Sequence, residues 1–462
     1  MNAPSSRRHR RFAIRAALVA IPLLALSAGS AFAAQEKGAA GTEPDAPTAA
    51  ECALLDDPNI AGRLDGLLVY LAKGCGREAE FFGGVLSGEG YPGDPSESPE
   101  SGGTPVSNPA QDTSGTAKTQ SETSIAFNPT TNVLCAAWND SFHGVTEGVG
   151  FSGFGRSIDG GSTWTDSGAV SPSSNFDTGD PSLVWRKSDG KFYYAALKGG
   201  GLGLYRSDDD CQSFTFLSQI ASGSDDKELM TVDNNDGSPY YGRLYIVWTD
   251  FGQSGRIFET HSDNGTTWST QVALSGATDD VQGAWPVVAP NNDVYAAWVR
   301  WNPYPSGPID IQVSRSTDGG ATWGLVANPM TGQVNPRDSS ATSSCGRPAL
   351  GGNIRYLPSP TIAVDGSGNL HVVYSYDPDG FNTGDESSVF YRRSTTQGAS
   401  WDPEILINDD GTTTDQWQPS LSVGAGNVVT VGYYSRQNDT GGNLMFDYYS
   451  RTSYDGGASF QP

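Results

Sequence analysis

The chain has 462 residues, and at about 150 residues per domain its length alone suggests roughly three domains. Hydrophobic residues make up 36%, too many for a wholly disordered chain, while 58 glycines and 28 prolines are too many for a helical one. A net charge of -24 argues against general binding to nucleic acid or to anionic membranes, so neither is expected as a partner. The composition indicates an all-β protein with many turns.

The first 33 residues have the three-part pattern of a secretory signal peptide. Five arginines between positions 7 and 15 form a basic head, an apolar run extends from Ala16 to Leu26, and Ala31-Phe32-Ala33 offers a cleavage site. A membrane anchor is the alternative, but Pro22 and the short apolar run disfavour it. We therefore predict that residues 1–33 are removed and that the protein is secreted or periplasmic, without membrane insertion.

Residues 34–82 form a small segment ahead of the main part of the chain. Cys52 and Cys75 flank its helical-looking stretch, Asn59–Lys73, which makes them the expected disulfide pair in an exported protein. Residues 83–102 are rich in Gly, Pro and Ser, which is the composition of a linker.

The other three cysteines give weaker signals. Cys135 lies in an apolar run, Val133–Trp138, and we interpret it as an unpaired buried hydrophobic residue. Cys211 and Cys345 lie in polar stretches, and the sequence leaves their pairing open. No two cysteines have the CxxC spacing, so a structural zinc site is not expected.

From residue 103 onward the chain repeats an eight-residue pattern, SxDGGxxW, which we call the repeated turn. Its six copies begin at Ser157, Ser207, His261, Ser316, Ser394 and Ser453. Upstream of each copy lie two runs rich in β-branched and aromatic residues, such as Pro181–Val184 and Phe192–Leu197. Four short strands per repeat predict a six-bladed β-propeller with four-stranded antiparallel blades over residues 103–462, in addition to the small N-terminal helical segment. A long interval between the fourth and fifth copies predicts one insertion.

The sixth repeat raises the question of its outer strand. The chain reaches Pro462 directly after the last repeated turn, which leaves no sequence for a fourth strand there. Gly103–Asn108 is similar to Ile405–Asn408, the expected outer strand of the fifth blade. We therefore predict that residues 103–108 complete the sixth blade and close the ring; the alternative is that they belong to the linker.

The repeated turn has a structural explanation for each of its residues. Glycines supply positive φ, the aspartate accepts backbone N–H groups, and the aromatic residue anchors the hairpin, which explains the aspartates better than metal binding does. The pattern resembles the Asp box of the sialidase (BNR-repeat) superfamily over about three-quarters of the chain. The resemblance implies a propeller, and since Asp-box propellers serve as glycosidases, receptors and assembly factors it leaves the activity open.

A candidate site follows from strand direction. In an antiparallel blade the inner strand begins where the second strand ends, and we call this end the first face. Carboxylates and aromatic residues cluster at these positions, as carbohydrate sites require, and the aromatic residues would be costly to expose without a purpose. The catalytic candidates are Asp140, Asp180, Glu228 and Asp250. The substrate-binding candidates are Trp285, Arg300, Arg355, Tyr356, Trp417 and Arg436.

The family that the repeats resemble holds the substrate carboxylate with three arginines and uses a Tyr paired with a Glu, together with an acid/base Asp. Here the place of the first arginine reads Gln120-Ser121-Glu122-Thr123, and the sixth inner strand offers Gln416-Trp417-Gln418 without a tyrosine. The three candidate arginines have no matching motif, so exo-sialidase activity itself is not expected.

We expect an exported, monomeric glycoside hydrolase-like propeller that acts on extracellular glycans, with two of the four candidate carboxylates as acid and base. The alternative is a non-catalytic propeller that binds glycans or proteins at the cell surface. This chemistry needs no cofactor. The acidic stretches Asp233–Asp236 and Asp377–Gly380 leave calcium open, although turns explain them better.

Overall fold

The computed structural model describes residues 47–57, 71, 75–77, 104–111, 120–147, 149–170, 177–337, 349–352 and 354–461. The predicted signal peptide and linker lie outside the described residues, as does most of the segment 34–82. Within these ranges, no helix is long and apolar enough to cross a membrane.

The described chain folds as a six-bladed β-propeller of antiparallel sheets, as the repeats predicted. Blade 1 contains β1 Gln120–Asn128, β2 Val133–Asp140, β3 Ser152–Ser157 and β4 Thr165–Ala169. Blade 2 contains β5 Asp177–Arg186, β6 Lys191–Lys198, β7 Gly201–Ser207 and β8 Thr215–Ser222. Blade 3 contains β9 Asp225–Val232, β10 Leu244–Asp250, β11 Arg256–Ser262 and β12 Val272–Ala273.

The second half continues this order with one interruption. Blade 4 contains β13 Asp280–Val288, β14 Val294–Trp301, β15 Ile309–Ser316 and β16 Gly324–Leu325, and β17 Met330–Gln333 also pairs with β15. The predicted insertion then contributes a two-stranded ribbon, β18 Ala349–Leu350 and β19 Ile354–Arg355. Blade 5 contains β20 Thr361–Val364, β21 Leu370–Tyr376, β22 Ser388–Ser394 and β23 Ile405–Leu406. Blade 6 contains β24 Gln416–Gly424, β25 Val428–Ser435 and β26 Asp447–Ser453.

Helical structure in the described ranges is short. The N-terminal segment has an α-helical turn, α1 Ala49–Cys52, continued by a 3₁₀ turn, Ala53–Asp56. The propeller adds a π-helical turn, Phe142–Glu147, and 3₁₀ turns at Phe251–Gln253 and Ala425–Asn427. The predicted all-β class is therefore confirmed.

The apolar cores lie between neighbouring blades. Trp248 of blade 3 packs in one cluster with Leu204 of blade 2, and Trp298 of blade 4 packs in another with Val247 of blade 3. Both faces of a blade are therefore buried, which suits the apolar runs seen in the second strands. A ring of such small cores explains why the length prior of three domains does not apply to this chain.

The repeated turn uses its aspartate as a backbone acceptor. In the fourth copy, the Thr322 N–H donates to Asp318 Oδ1 at 2.8 Å and the Thr322 hydroxyl donates to the other carboxylate oxygen. The Gly320 N–H donates to Ser316 Oγ at 2.9 Å, with Gly320 at φ 93°. These contacts agree with the structural explanation of the turn.

Two disulfides join the described cysteines. Cys52 and Cys75 are bonded, as predicted, with their Cα atoms 5.8 Å apart. The interpretation of Cys135 as an unpaired buried residue is wrong, because it is bonded to Cys211 with a Cα separation of 5.9 Å. Cys211 occupies the second glycine position of its repeated turn at φ 65°, so the turn brings it against β2 of the preceding blade.

The prediction that residues 103–108 complete the sixth blade is wrong. The described part of this segment, residues 104–108, is not a strand and lies on blade 1, where Thr104 Oγ1 donates to the Ser162 carbonyl at 2.9 Å. The Asn108 N–H donates to Asp166 Oδ2 at 2.8 Å, which fixes the segment beside β4. Within the described residues, blade 6 has three strands.

Candidate functional site at the first face

Five inner strands share a bulge close to the first face. The residue at the bulge has a left-handed conformation in each, and these residues are Glu122, Asp180, Lys227, Gly283 and Gln418. The pairing register with the second strand shifts at the same place in all five blades. A left-handed residue other than glycine costs about 1 to 2 kcal/mol, and strain of this kind concentrates at functional sites. The bulges turn polar side chains of neighbouring inner strands towards one another.

Glu228, next to one bulge, is a buried acid without a partner. It is 1% exposed, and neither carboxylate oxygen has a hydrogen-bond donor among the described residues. Burial, and then the nearby carboxylates of Asp180 and Asp226, raise the pKa of Glu228 well above its usual value. The protonated form of Glu228 is therefore favoured over that of an ordinary glutamate.

Asp180 lies on the neighbouring inner strand, β5, and faces a cation. Its Oδ2 atom is 4.0 Å from the Lys227 ammonium, which also lies 2.5 Å from Glu122 Oε2. Its backbone N–H donates to Asn139 Oδ1 at 2.6 Å, which fixes the bulge in place. Lys227 and Glu122 are partly exposed, so solvent and ligands reach the site on their side.

A second acid pair lies where β9 begins and β10 ends. Asp225 and Asp250 are directly opposite in the strand register, and both carboxylates approach within 3.5 Å of the position that a Gly223 Cβ would occupy. Asp225 accepts from Trp248 Nε1 at 2.8 Å and Asp250 accepts from Gln253, but the remaining oxygen of each carboxylate has no donor among the described residues. Burial raises the pKa of both, and the charge of Asp250 raises that of Asp225 further. Loss of a proton from either member of the pair is therefore harder than from an ordinary aspartate.

Asp177, which begins β5, is a third buried acid that the sequence did not single out. Its Oδ1 accepts the Ser152 N–H at 2.7 Å, while Oδ2 has no donor among the described residues. Burial raises its pKa to about 7. Asp225 and Asp177 share one signal that could have found them: each stands at the first residue of an inner strand, within three residues of a bulge.

Asp140 differs from these acids because its oxygens are occupied. Its Oδ2 accepts from Trp138 Nε1 at 3.0 Å, and its Oδ1 accepts from the Phe142 N–H at 2.9 Å. These bonds anchor the π-helical turn that follows β2. Asp140 therefore has the contacts of a structural acceptor.

The candidate arginines are paired with carboxylates where their side chains are described. Arg300 lies 3.3 Å from Asp310 on the neighbouring strand, and the buried Arg436 lies 2.6 Å from Asp415. The backbone of Arg355 pairs in the ribbon, but its side chain lies outside the described residues.

The aromatic candidates are part of the protein interior. Trp417 is 3% exposed and Tyr356 is 2% exposed, and both pack in one cluster with Leu350 of the inserted ribbon. Trp285 is half-buried against the core between blades 4 and 5. The expectation that these rings are exposed at the site is therefore wrong for Trp417 and Tyr356, because the ribbon covers them.

The two acidic stretches considered for calcium form turns. Asp233 accepts the Asn235 N–H at 2.9 Å and the Ser238 hydroxyl, and Asp377 accepts the Gly380 N–H at 2.7 Å. Within the described ranges, no three acidic, histidine or cysteine side chains are grouped closely enough to hold one metal ion.

No protein-family model matches this chain, and no curated protein does. Among solved structures, it is similar to an α-L-arabinanase from Penicillium chrysogenum complexed with arabinobiose, with 15% identity, a TM-score of 0.43, and coverage of 72% of this chain and 92% of that one. It is also similar to the α-L-arabinofuranosidase Arb93A from Fusarium graminearum, with 12% identity, a TM-score of 0.45 and coverage of 71% and 91%. A leech intramolecular trans-sialidase has 12% identity, a TM-score of 0.46 and coverage of 72% and 68%.

The likeness to these structures is one of fold. The six-bladed antiparallel propeller that the repeated turns predicted is confirmed by the strand topology of the described residues. A shared propeller does not determine a substrate or a reaction, so the function has to be argued from the residues of the first face.

Proposed function

We propose that this protein is an exported glycoside hydrolase whose general acid is Glu228. The observation that carries the proposal is that Glu228 is buried and has no hydrogen-bond donor among the described residues, and this burial raises its pKa. A glycosidase needs such an acid to protonate the departing glycosidic oxygen.

Asp180 supplies the second carboxylate that this reaction requires. Of the nearby carboxylates, Asp180 has the largest effect on the pKa of Glu228, and the Lys227 ammonium at 4.0 Å stabilises negative charge on Asp180. One buried acid with a raised pKa beside one carboxylate near a cation is the division of roles used in glycoside hydrolysis. In this scheme Asp180 acts as nucleophile or as base for water, while Glu228 donates its proton to the leaving group.

The charges around the site favour a neutral glycan. Arg300 and Arg436 are already paired with aspartates, and the chain carries a net charge of -24. A sialoside or uronic acid would meet buried acids, while the two candidate arginines whose side chains are described are already engaged by aspartates. Arabinans and other neutral polysaccharides outside the cell are therefore the first substrates to test.

The test is a screen of purified protein against neutral, uronic-acid and sialylated glycans, with product release measured by reducing-end assay and mass spectrometry. We expect turnover of a neutral glycan, with kcat reduced about 100-fold or more in Glu228→Gln because general acid catalysis is lost. Asp180→Asn should be similarly impaired.

Glu259→Gln is the matched control. Glu259 is also a buried glutamate, but it lies on β11 and accepts from Trp323 Nε1 at 3.3 Å. It should retain turnover within a few-fold. Unchanged kcat in Glu228→Gln would refute the assignment, and glycan binding without turnover by the wild-type protein would support a non-catalytic binding propeller instead.

A further inference from the structure

A cavity of about 420 Å³ opens on blade 5, away from the inner-strand acids. It is bounded by the connection between β21 and β22 and by the connection from β23 to β24. Residues lining it include Asp379, Asp385, Phe390, Leu406, Asp409 and Asp410. Its volume falls in the range of small-molecule sites, about 300 to 1,000 Å³.

The cavity is strongly negative. Neither Lys nor Arg lines it, and of its four aspartates only Asp409 forms an ion pair among the described residues, with Arg451 at 3.1 Å. Asp410 Oδ1 accepts the Thr412 N–H at 2.9 Å, but its Oδ2 has no donor in the described ranges. A ligand that neutralises this charge gains electrostatic energy that a neutral ligand does not.

Asp385 is the most constrained of these carboxylates. Its side chain is buried to 8% exposure, and Oδ2 accepts the Ser388 hydroxyl at 2.7 Å. The side-chain hydrogen bond found for Asp385 in the described part of the chain uses Oδ2 alone, and the residue lines the cavity. A buried carboxylate in a cavity lining, with one oxygen not used by the protein, is a preformed acceptor for a charged N–H donor.

Part of the cavity lining is apolar. Phe390 stacks on Tyr376 with ring centroids 4.1 Å apart, and Leu406 is 46% exposed beside it. An apolar surface in the same lining as carboxylates suits an organic cation better than a bare ion, because a carbon skeleton covers that surface while its charge meets the acids. In addition, the described acids do not group closely enough to ligate one metal ion.

We propose that this cavity binds a small ligand that carries a primary ammonium group, with Asp385 as the main acceptor and Asp379 and Asp410 as supporting charges. An amino sugar with a free amine and an aliphatic polyamine both have this chemistry. The proposal is independent of the hydrolase function, since it concerns a separate cavity and is tested by binding.

The test is calorimetric titration with the disaccharide of glucosamine, its N-acetylated counterpart, and spermidine. We expect the free-amine disaccharide or spermidine to bind at least tenfold more tightly than the N-acetylated sugar, which has the same rings without the charge. Whichever of the two binds more tightly identifies the source of the ammonium. Asp385→Asn should weaken binding about tenfold, and Asp410→Asn should weaken it less.

Asp402→Asn is the control, because Asp402 lies on the same blade but pairs with Arg393 at 2.8 Å outside the cavity. It should leave affinity unchanged. Asp385→Asn keeps one oxygen that can accept from Ser388, and its melting temperature is measured alongside. If Asp385→Asn is unstable, the affinity of Asp410→Asn tests the proposal in its place. Equal affinity for charged and N-acetylated sugars, or displacement of the amine by millimolar Ca²⁺, would overturn the proposal.

The pH dependence of ligand affinity gives a further test of the role of Asp385. Burial, followed by the nearby charges of Asp379, Asp415 and Asp377, raises the pKa of Asp385 to about 6. Since the ammonium binds the ionised carboxylate, affinity should rise as pH increases from 5 to 7. Affinity that is flat over this interval would contradict the role of Asp385.

Discussion

Carboxylates occupy two regions of this propeller in opposite electrostatic states. In the repeated turns, Asp159 is fully exposed and accepts the Thr163 N–H and hydroxyl, which lowers its pKa to about 2. At the first face, Glu228 and Asp177 are buried with missing donors, and burial raises their pKa values. All three side chains are carboxylic acids, but they differ in the number of hydrogen-bond donors around them and in their access to water.

This difference is the reason that the proposed function is assigned to the first face. A turn aspartate with all its acceptor sites filled stabilises a hairpin and has no proton to give at neutral pH. A buried acid without donors costs folding free energy, and such a cost is typical of catalytic groups. The repeated motif that identifies the fold is therefore the part of the chain that is chemically inert.

The largest expected effect is a change of the free energy of unfolding with pH, caused by the ionisation of Asp177. Its pKa of about 7 in the folded state is above the unfolded value, so its stabilising contribution is complete below about pH 4 and is lost as pH rises to 7. At about 1.4 kcal/mol per pKa unit, the loss has an upper limit of about 4 kcal/mol. Asp177→Asn keeps an acceptor for Ser152, so its free energy of unfolding should fall less between pH 4 and pH 8 in urea titrations.

Asp159→Asn is the matched control for that comparison. The lowered pKa of Asp159 means that its contribution is lost only as pH falls towards 2, so the variant should follow the wild-type pH profile between pH 4 and pH 8. A wild-type profile as flat as that of Asp177→Asn would show that Asp177 does not hold its proton in the folded state.

The fold was predictable because its signals are local and repeated. Six copies of one turn, each preceded by two apolar runs, define the blades without any knowledge of what packs against them. The same reasoning located the first face and placed Asp180, Asp250 and Glu228 there.

The state of each site residue was not predictable in this way, because it depends on distant parts of the chain. Trp417 and Arg436 are covered by the inserted ribbon, where the Gly351 carbonyl accepts from Arg436. Glu228 is buried by neighbouring blades, and the residues next to it in sequence do not indicate that burial. Cys211 gave one overlooked signal, since a cysteine in a glycine position with positive φ needs a compensating bond.

The disulfide provides the next largest effect. Cys135→Ser should lower the free energy of unfolding by about 2 to 4 kcal/mol, because the bond links residues 76 apart in sequence. Cys211→Gly removes the same bond but places glycine at φ 65°, so it should be about 1 kcal/mol more stable than Cys211→Ser. Denaturant unfolding of the three variants checks both values, and equal stability of the two Cys211 variants would contradict the strain assigned to this turn.

The smallest expected effect is on the free energy of unfolding when a turn aspartate is replaced. It separates the role of the aspartate as a hydrogen-bond acceptor from the role of its charge. In the third copy Asn264, one residue after the aspartate position of the pattern, takes this role and accepts the Thr267 N–H at 2.9 Å. In the fifth copy the Thr396 hydroxyl takes it and accepts the Ser400 N–H at 2.9 Å. Since neutral acceptors serve in these copies, Asp318→Asn should change the free energy of unfolding by less than about 0.5 kcal/mol, whereas Asp318→Ala should lower it by about 1 kcal/mol.

The same replacement of acid by amide has opposite consequences in the two regions. In a repeated turn the amide keeps the required acceptor, so Asp318→Asn should preserve both the fold and turnover. At the first face the amide cannot donate an acidic proton, so Glu228→Gln should preserve the fold while turnover is lost. Thermal unfolding and kcat measured on this pair of variants test the comparison directly, and a loss of turnover in Asp318→Asn comparable to that in Glu228→Gln would contradict it.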